Sequence, residues 1–184
     1  KRTLTFSDRK IICGSTPVDD QHSVIIKRYE ESDQRIFEVP CPECEFRFEL
    51  MWEHMHWEPG RPETAVVVCP SGNGCVIEEI HKPQMVEKGE WRATKPEVKG
   101  HAGFRMSQMI SLFANARWSE IVKEYEAAKK AGPQDMQVFW NTVLGRVWSN
   151  AITQVDENVL MARMENMGIE WDRQRDQWRF DIPE

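Results

Sequence analysis

The sequence predicts an α+β chain: a small antiparallel β region stapled by cysteines, followed by a helical hairpin. Three observations lead there. Four cysteines fall in two short pairs, Cys41-Pro42-Glu43-Cys44 and Cys69-Pro70-Ser71-Gly72-Asn73-Gly74-Cys75, with 24 residues between the pairs. Each pair sits between strand-like runs, residues 36–39 and 46–50 around the first, residues 65–68 and 76–77 around the second. From Ser119 onward the apolar residues recur at helical spacing instead.

Residues 10–13, Lys10-Ile11-Ile12-Cys13, read as a short apolar strand closed by Gly14-Ser15-Thr16-Pro17, which makes Cys13 a buried strand thiol. Residues 23–31 predict a helix with Ser23 as its cap and Val24, Ile25 and Tyr29 on one side. The cysteine region spans residues 36–80. A short helix is expected from Lys82 to Glu87, with Pro83 in its first turn and Gly89 ending it. Trp91-Arg92-Ala93-Thr94 reads as a strand, and the alternation in residues 104–109 as another.

Ser119 is the expected cap of a helix that places Ile121, Val122, Tyr125 and Ala128 on one face. Gly132-Pro133 stops it and starts a second, lined by Met136, Phe139, Trp140, Val143 and Leu144 and ended by Gly145. The two helices should pack as an antiparallel pair, with the cysteine region a separate cluster. Asp156 is read as the cap of a third helix, with Val159, Leu160, Met164 and Met167 inward and Gly168 at its end. Asp181-Ile182-Pro183-Glu184 reads as linker, and both ends look cut from something longer.

Two cysteine-bearing turns at the tips of neighbouring hairpins are how a zinc ribbon holds a tetrahedral four-cysteine site. Cys41, Cys44, Cys69 and Cys75 are therefore the expected ligands of one structural zinc ion. The second turn is longer than the first, and Gly72 and Gly74 let it loop back. A redox pair would want a strand-to-helix setting, whereas strand-like sequence flanks both pairs. Two disulfides would suit a secreted chain, yet there is no signal peptide and Cys13 is left over. With four thiolates completing the shell, His54, His56 and His81 are expected to be non-ligands.

Composition narrows the rest. The chain has 184 residues and a formal net charge of −6, so bulk electrostatics give no sign of nucleic-acid binding. Lys27, Arg28, Arg35 and Arg47 are the basic residues near the cysteine region, and acidic residues surround them. There is no transmembrane run and no low-complexity tract. Eight tryptophans and nine methionines are many for this length, and packing accounts for them.

Three longer runs carry a family resemblance. Arg9-Lys10-Ile11-Ile12-Cys13-Gly14-Ser15-Thr16-Pro17 comes first, then Glu31-Ser32-Asp33-Gln34-Arg35-Ile36-Phe37-Glu38-Val39-Pro40-Cys41-Pro42-Glu43-Cys44, and later Phe139-Trp140-Asn141-Thr142-Val143-Leu144-Gly145. Together with Gly89-Glu90-Trp91-Arg92-Ala93-Thr94 and Gly103-Phe104-Arg105-Met106-Ser107, in this order, they resemble the large terminase subunit of lambda-type tailed phages.

That resemblance implies a DNA-packaging motor: an N-terminal ATPase that drives double-stranded DNA into a procapsid and a metal-dependent endonuclease that cuts the concatemer. It implies ATP and magnesium in the parent, the small terminase subunit and the portal or procapsid as partners, no membrane, and a reducing host cytoplasm. It places this chain between the two engines. Residues 1–31 then end the ATPase core, a terminal fringe of an α/β domain, with Ser15 and Thr16 as its coupling motif. Residues 32–95 form the zinc-ribbon region, 96–154 a strand and helical-hairpin connector, and 155–184 a helix and linker toward the nuclease.

The family's second cysteine pair is usually Cys-x-x-Cys, whereas five residues separate Cys69 from Cys75 here. The sequence holds no G-x-x-x-x-G-K-[ST] loop and no evident catalytic set, and the family's nuclease carboxylates are expected beyond Glu184. By itself the chain is thus expected to catalyse nothing. The alternative is a stand-alone zinc-ribbon module that binds a protein partner or DNA.

Overall fold

The computed structural model describes residue 5, residues 7–18 and 23–148, and the backbone of residues 169–172 and 177–180. The chain divides into two compact units, Lys1–Ser149 and Asn150–Glu184.

The first unit is α+β and carries two small antiparallel sheets. Helix α1 (Val24–Glu30) leads into strand β1 (Arg35–Pro40), which sits in the middle of the first sheet. Its neighbours are β2 (Arg47–Glu49) and β6 (Glu90–Ala93), with Val39 opposite Phe48 and Phe37 opposite Trp91. The second sheet places β4 (Arg61–Val68) between β3 (Met55–Glu58) and β5 (Val76–Glu78), with Val67 opposite both Met55 and Ile77. Ala65 and Val67, two residues apart on β4, point inward, as the two-residue period of a half-buried strand requires.

Helix α2 (Lys82–Glu87) returns the chain to β6, with Pro83 in its first turn, where its missing N–H costs nothing. Helix α3 (Trp118–Ala131) buries Trp118, Ile121, Val122 and Ala128. Gly132 ends it, and Pro133 opens α4 (Pro133–Val138), which continues as a single π-helical stretch, Phe139–Val143. The expected helical hairpin is therefore present. Gly145, at φ +62°, turns the chain away from it.

Several expectations need correction. Residues 10–13 form no strand: the run is irregular, Ile12 is 94% exposed, and Cys13 is an exposed thiol rather than a buried one. Apolar side chains alone do not make a strand without a partner to take their backbone hydrogen bonds. Residues 104–109 form no full strand either. Phe104 makes one parallel bridge with Arg35, supported by Asp33 N–H to His101 O (3.0 Å) and Arg35 N–H to Gly103 O (2.7 Å), and a 3-10 turn follows at Gln108–Ile110.

Ser119 lies inside α3 and does not cap it; the Glu79 carboxylate, remote in sequence, accepts the Trp118 N–H at 2.9 Å. Ser23 does precede α1, but its side chain makes no capping bond, and α1 buries no residue fully. Trp140 is half-buried against Trp148, 5.5 Å between ring centroids, whereas Phe139 is the buried aromatic at 1% exposure.

The largest correction concerns the core. The cysteine region is not a separate cluster: Val39, Cys41, Phe48, Val67, Cys69 and Ile77 share one hydrophobic core with Trp118, Ile121, Val122, Phe139, Val143 and Leu144. Trp52 makes the join, lying 4.8 Å from Tyr125 and 5.3 Å from Phe139. Trp57 adds to it, donating from Nε1 to Glu126 at 3.0 Å. A small β region has too little apolar surface of its own to bury, so it closes against the helices.

In the second unit, β7 (Ile169–Asp172) pairs antiparallel with β8 (Gln177–Phe180), Trp171 opposite Trp178. The sequence reading did not foresee this hairpin in its linker segment. The expected third helix at 156–168 and the linker residues Asp181-Ile182-Pro183-Glu184 lie outside the described residues.

Candidate metal centre

The four paired cysteines come from the tips of two hairpins. Cys41 follows β1 directly, and Cys44 lies in the tight turn that leads to β2. Two bonds close that turn, Cys41 N–H to Phe46 O at 2.9 Å and Glu45 N–H to Cys41 O at 3.0 Å. Cys69 follows β4 and Cys75 precedes β5, joined by Cys69 N–H to Cys75 O at 3.0 Å. Between them Gly72 and Gly74 adopt φ of +83° and +72°, a left-handed backbone that side-chain-bearing residues rarely take.

Both turns point their thiols at one place. The sulfurs of Cys41, Cys44 and Cys69 all lie within 4.8 Å of one another. Cys44 and Cys69, one from each turn, are 3.8 Å apart. A tetrahedron with Zn–S bonds of about 2.3 Å separates its sulfurs by about 3.8 Å, so the pair already stands at coordinating distance. All five cysteines are free thiols. Cys75, at the far end of the second turn and half-buried, is not one of the three mutually close sulfurs.

Electrostatics separate the four. Burial pushes the Cys41, Cys69 and Cys75 thiols up from their ordinary value. Cys44 is brought down to about 6, first by the Ser71 hydroxyl and then by the Phe46 backbone N–H. Backbone N–H groups of Glu43 and Cys44 serve the Cys41 sulfur, and that of Ser71 serves Cys69. A soft donor set of this kind, ringed by amide donors, fits a borderline-soft divalent cation such as zinc, which would hold the sulfurs as thiolates.

None of the three histidines named in the sequence belongs to this group. His54 is occupied otherwise: its Nδ1 accepts the Met51 N–H at 3.4 Å and its ring stands edge-on to Phe48 at 5.5 Å. Among the described residues, Cys41, Cys44 and Cys69 are the single close cluster of metal-binding side chains, and no carboxylate cluster accompanies them. The basic residues beside the site are mostly engaged: Arg28 pairs with Glu31, Arg35 with Asp33, and Arg47 with Glu90.

Ser15 and Thr16 are exposed, and the Ser15 hydroxyl donates to Thr16 O at 3.1 Å. The chain just beyond them is anchored: Val18 O accepts from Gln137 Nε2 at 3.3 Å and from Asn141 Nδ2 at 2.9 Å. Asn141 Oδ1 accepts the Trp148 N–H at 3.3 Å, so one buried side chain ties residue 18 to residue 148. Sequence reasoning missed Asn141 and Ser71, because both act through partners that only the fold supplies.

Two family models match the chain. Residues 1–91 match the model described as phage terminase large subunit gpA, ATPase domain, and residues 101–177 match terminase large subunit gpA, endonuclease domain. No curated protein and no solved structure matches the chain.

Proposed function

The chain belongs to the phage terminase large subunit gpA family, and from that premise we propose that it is the zinc-stabilised connector between the subunit's ATPase and nuclease engines. In this reading the parent drives double-stranded DNA into a procapsid with ATP and magnesium and cuts concatemeric DNA with its metal-dependent endonuclease. The small terminase subunit and the portal are its partners, and the host cytoplasm is where it works. Among the described residues no helix is long and apolar enough to cross a membrane.

One observation carries the connector role: a single core runs across the break between the two matched stretches. Residues up to 91 contribute Val39, Val67 and Ile77, residues beyond 101 contribute Trp118, Ile121 and Phe139, and the cysteine cluster sits at its edge. A junction packed in this way moves as one piece, and so can pass motion between its neighbours. We assign residues 1–31 to the end of the ATPase core, 32–95 to the zinc region, 96–154 to the connector and 155–184 to the passage toward the nuclease.

Cys41, Cys44, Cys69 and Cys75 would hold the ion, whose chemistry here is structural: it draws two hairpin tips together. Ser15 and Thr16 would couple nucleotide state to the junction, through the anchored carbonyl of Val18. Purified as it stands, the chain should neither hydrolyse ATP nor cut DNA.

The test places Phe139→Ala in a complete large subunit and measures packaging and cutting separately. Lost packaging with cutting retained supports a coupling connector. Unchanged packaging in a stably folded subunit overturns it. A salt-dependent DNA shift by the chain alone would favour a DNA-binding ribbon instead.

A further inference from the structure

We infer that Ser71 is a positioning residue of the metal centre: its hydroxyl bridges Cys44 and Cys69, one sulfur from each turn, and holds them at coordinating distance. The inference rests on the zinc reading above and deepens it.

The geometry is specific. Ser71 Oγ lies 3.5 Å from the Cys44 sulfur and 3.3 Å from the Cys69 sulfur, which are themselves 3.8 Å apart. The Asn73 N–H donates to the same oxygen at 3.3 Å. With the cysteines as thiols, their S–H groups also donate to this oxygen; once they are thiolates, the Asn73 bond keeps an acceptor lone pair occupied and the hydroxyl proton is free to turn to sulfur. The bond also explains the long second turn. Gly72 and Gly74 take left-handed backbones, and the chain between them brings the Asn73 N–H round to Ser71. A two-residue spacing has no such residues.

The chemistry needs this donor. A divalent cation with four thiolates carries a net charge of −2, in a chain already acidic. Hydrogen bonds to the sulfurs spread that charge. Cys41 and Cys44 receive theirs from the backbone of their own turn, and Cys69 from the Ser71 N–H. Ser71 is the one side-chain hydroxyl so placed among the described residues: its oxygen accepts from a thiol of each turn, and once metal binding removes those thiol protons its own single proton is left to be shared between the two thiolates. Partners of this kind orient metal ligands and tune their affinity.

The experiment loads the 184-residue chain with cobalt, then displaces it with zinc in the presence of a competing chelator. Ser71→Ala should weaken zinc binding by about 10- to 100-fold. It should also move the thiolate-to-cobalt charge-transfer band to lower energy, because the sulfurs lose a proton that draws charge from them. The tetrahedral four-thiolate spectrum should persist. Ser71→Thr and Ser71→Val are nearly isosteric, so the pair isolates the hydroxyl: threonine should keep both the affinity and the band position, and valine should lose both.

Binding within about twofold of the parent, or weakened binding with an unmoved band, overturns the inference and leaves Ser71 a turn residue. Equal behaviour of the threonine and valine variants overturns it as well. A parent chain that takes up neither metal overturns the zinc reading itself, a separate outcome.

Discussion

Arg105 holds both oxygens of Glu49: its Nη2 donates at 2.8 Å to one and 2.7 Å to the other. Glu49 closes the strand after the first cysteine pair, and Arg105 lies in the stretch matched by the endonuclease model. The pair therefore bolts the two matched stretches together beside their shared core. Both side chains are partly buried, so salt screens the pair less than it would a fully exposed one. Arg105→Ala leaves a carboxylate without its partner and should cost about 1.5–3 kcal/mol. Denaturant unfolding of the single variants and the double variant measures it. A coupling energy near zero in that cycle would show the pair to be incidental.

Metal content is the next expectation: one zinc per chain. Binding should contribute on the order of 10 kcal/mol, in apparent terms, to the folding of the cysteine region. Elemental analysis of the purified chain checks the stoichiometry. Cys44→Ser or Cys69→Ser should abolish retention. An intact fold with no metal after exhaustive chelation would refute it.

Phe139→Ala should cost roughly 3–5 kcal/mol, since this ring is 1% exposed and packs on Trp52 and Tyr125. Because the core is continuous, the same change should also speed zinc loss to a chelator. Trp140→Ala should cost less than Phe139→Ala, since Trp140 is only half-buried, packed at the edge of the core and 5.5 Å from Trp148 between ring centroids. Unchanged zinc release in Phe139→Ala would mean that the hairpin tips are independent of the helices after all.

Lys82 makes stability depend on alkaline pH. It is 2% exposed, donates to Ala116 O at 2.7 Å, and lies 5.8 Å from the Trp118 ring centroid. Burial lowers its pKa from 10.5 to about 8, with Glu79 opposing. Between those values the unfolded chain holds a proton that the folded chain has released, so this group's contribution to stability rises with pH through the window. Below about pH 8 the cost of the buried ammonium is fully present. Subtracting the stability-versus-pH curve of Lys82→Met from that of the parent should isolate a rise from pH 8 to 10.5. A flat difference curve would remove Lys82 from the account.

Asn141→Ala should loosen residue 18 on the hairpin, leaving it the longer bond from Gln137 Nε2. It removes the bond to Val18 O and leaves the Trp148 N–H without its acceptor, at a cost of about 1–3 kcal/mol. Hydrogen exchange should show faster exchange at Trp148 while α3 stays protected. Equal protection at Trp148 in parent and variant would contradict the clamp.

The sequence by itself determined the cysteine pairing, the two turns and the helical hairpin. Each is local: a cysteine spacing, a Gly-Pro break, or an apolar stripe at a period of three to four specifies its own element. The tertiary structure alone decided which of those elements share a core. Residues 10–13 have strand composition but no partner strand, so they stay irregular. Residues 104–109 alternate as a strand does, yet find only one bridge, at Arg35. Glu79 caps α3 from 39 residues away, in place of the adjacent Ser119. Trp140 and Phe139 are neighbours in the same stripe, and the π-helical stretch that carries both leaves Phe139 fully buried and Trp140 half-buried. The Ser71 bridge exists because two turns from different sheets meet at one point. Burial, remote capping and convergence of side chains depend on what lies across the fold, and no spacing along the chain encodes them.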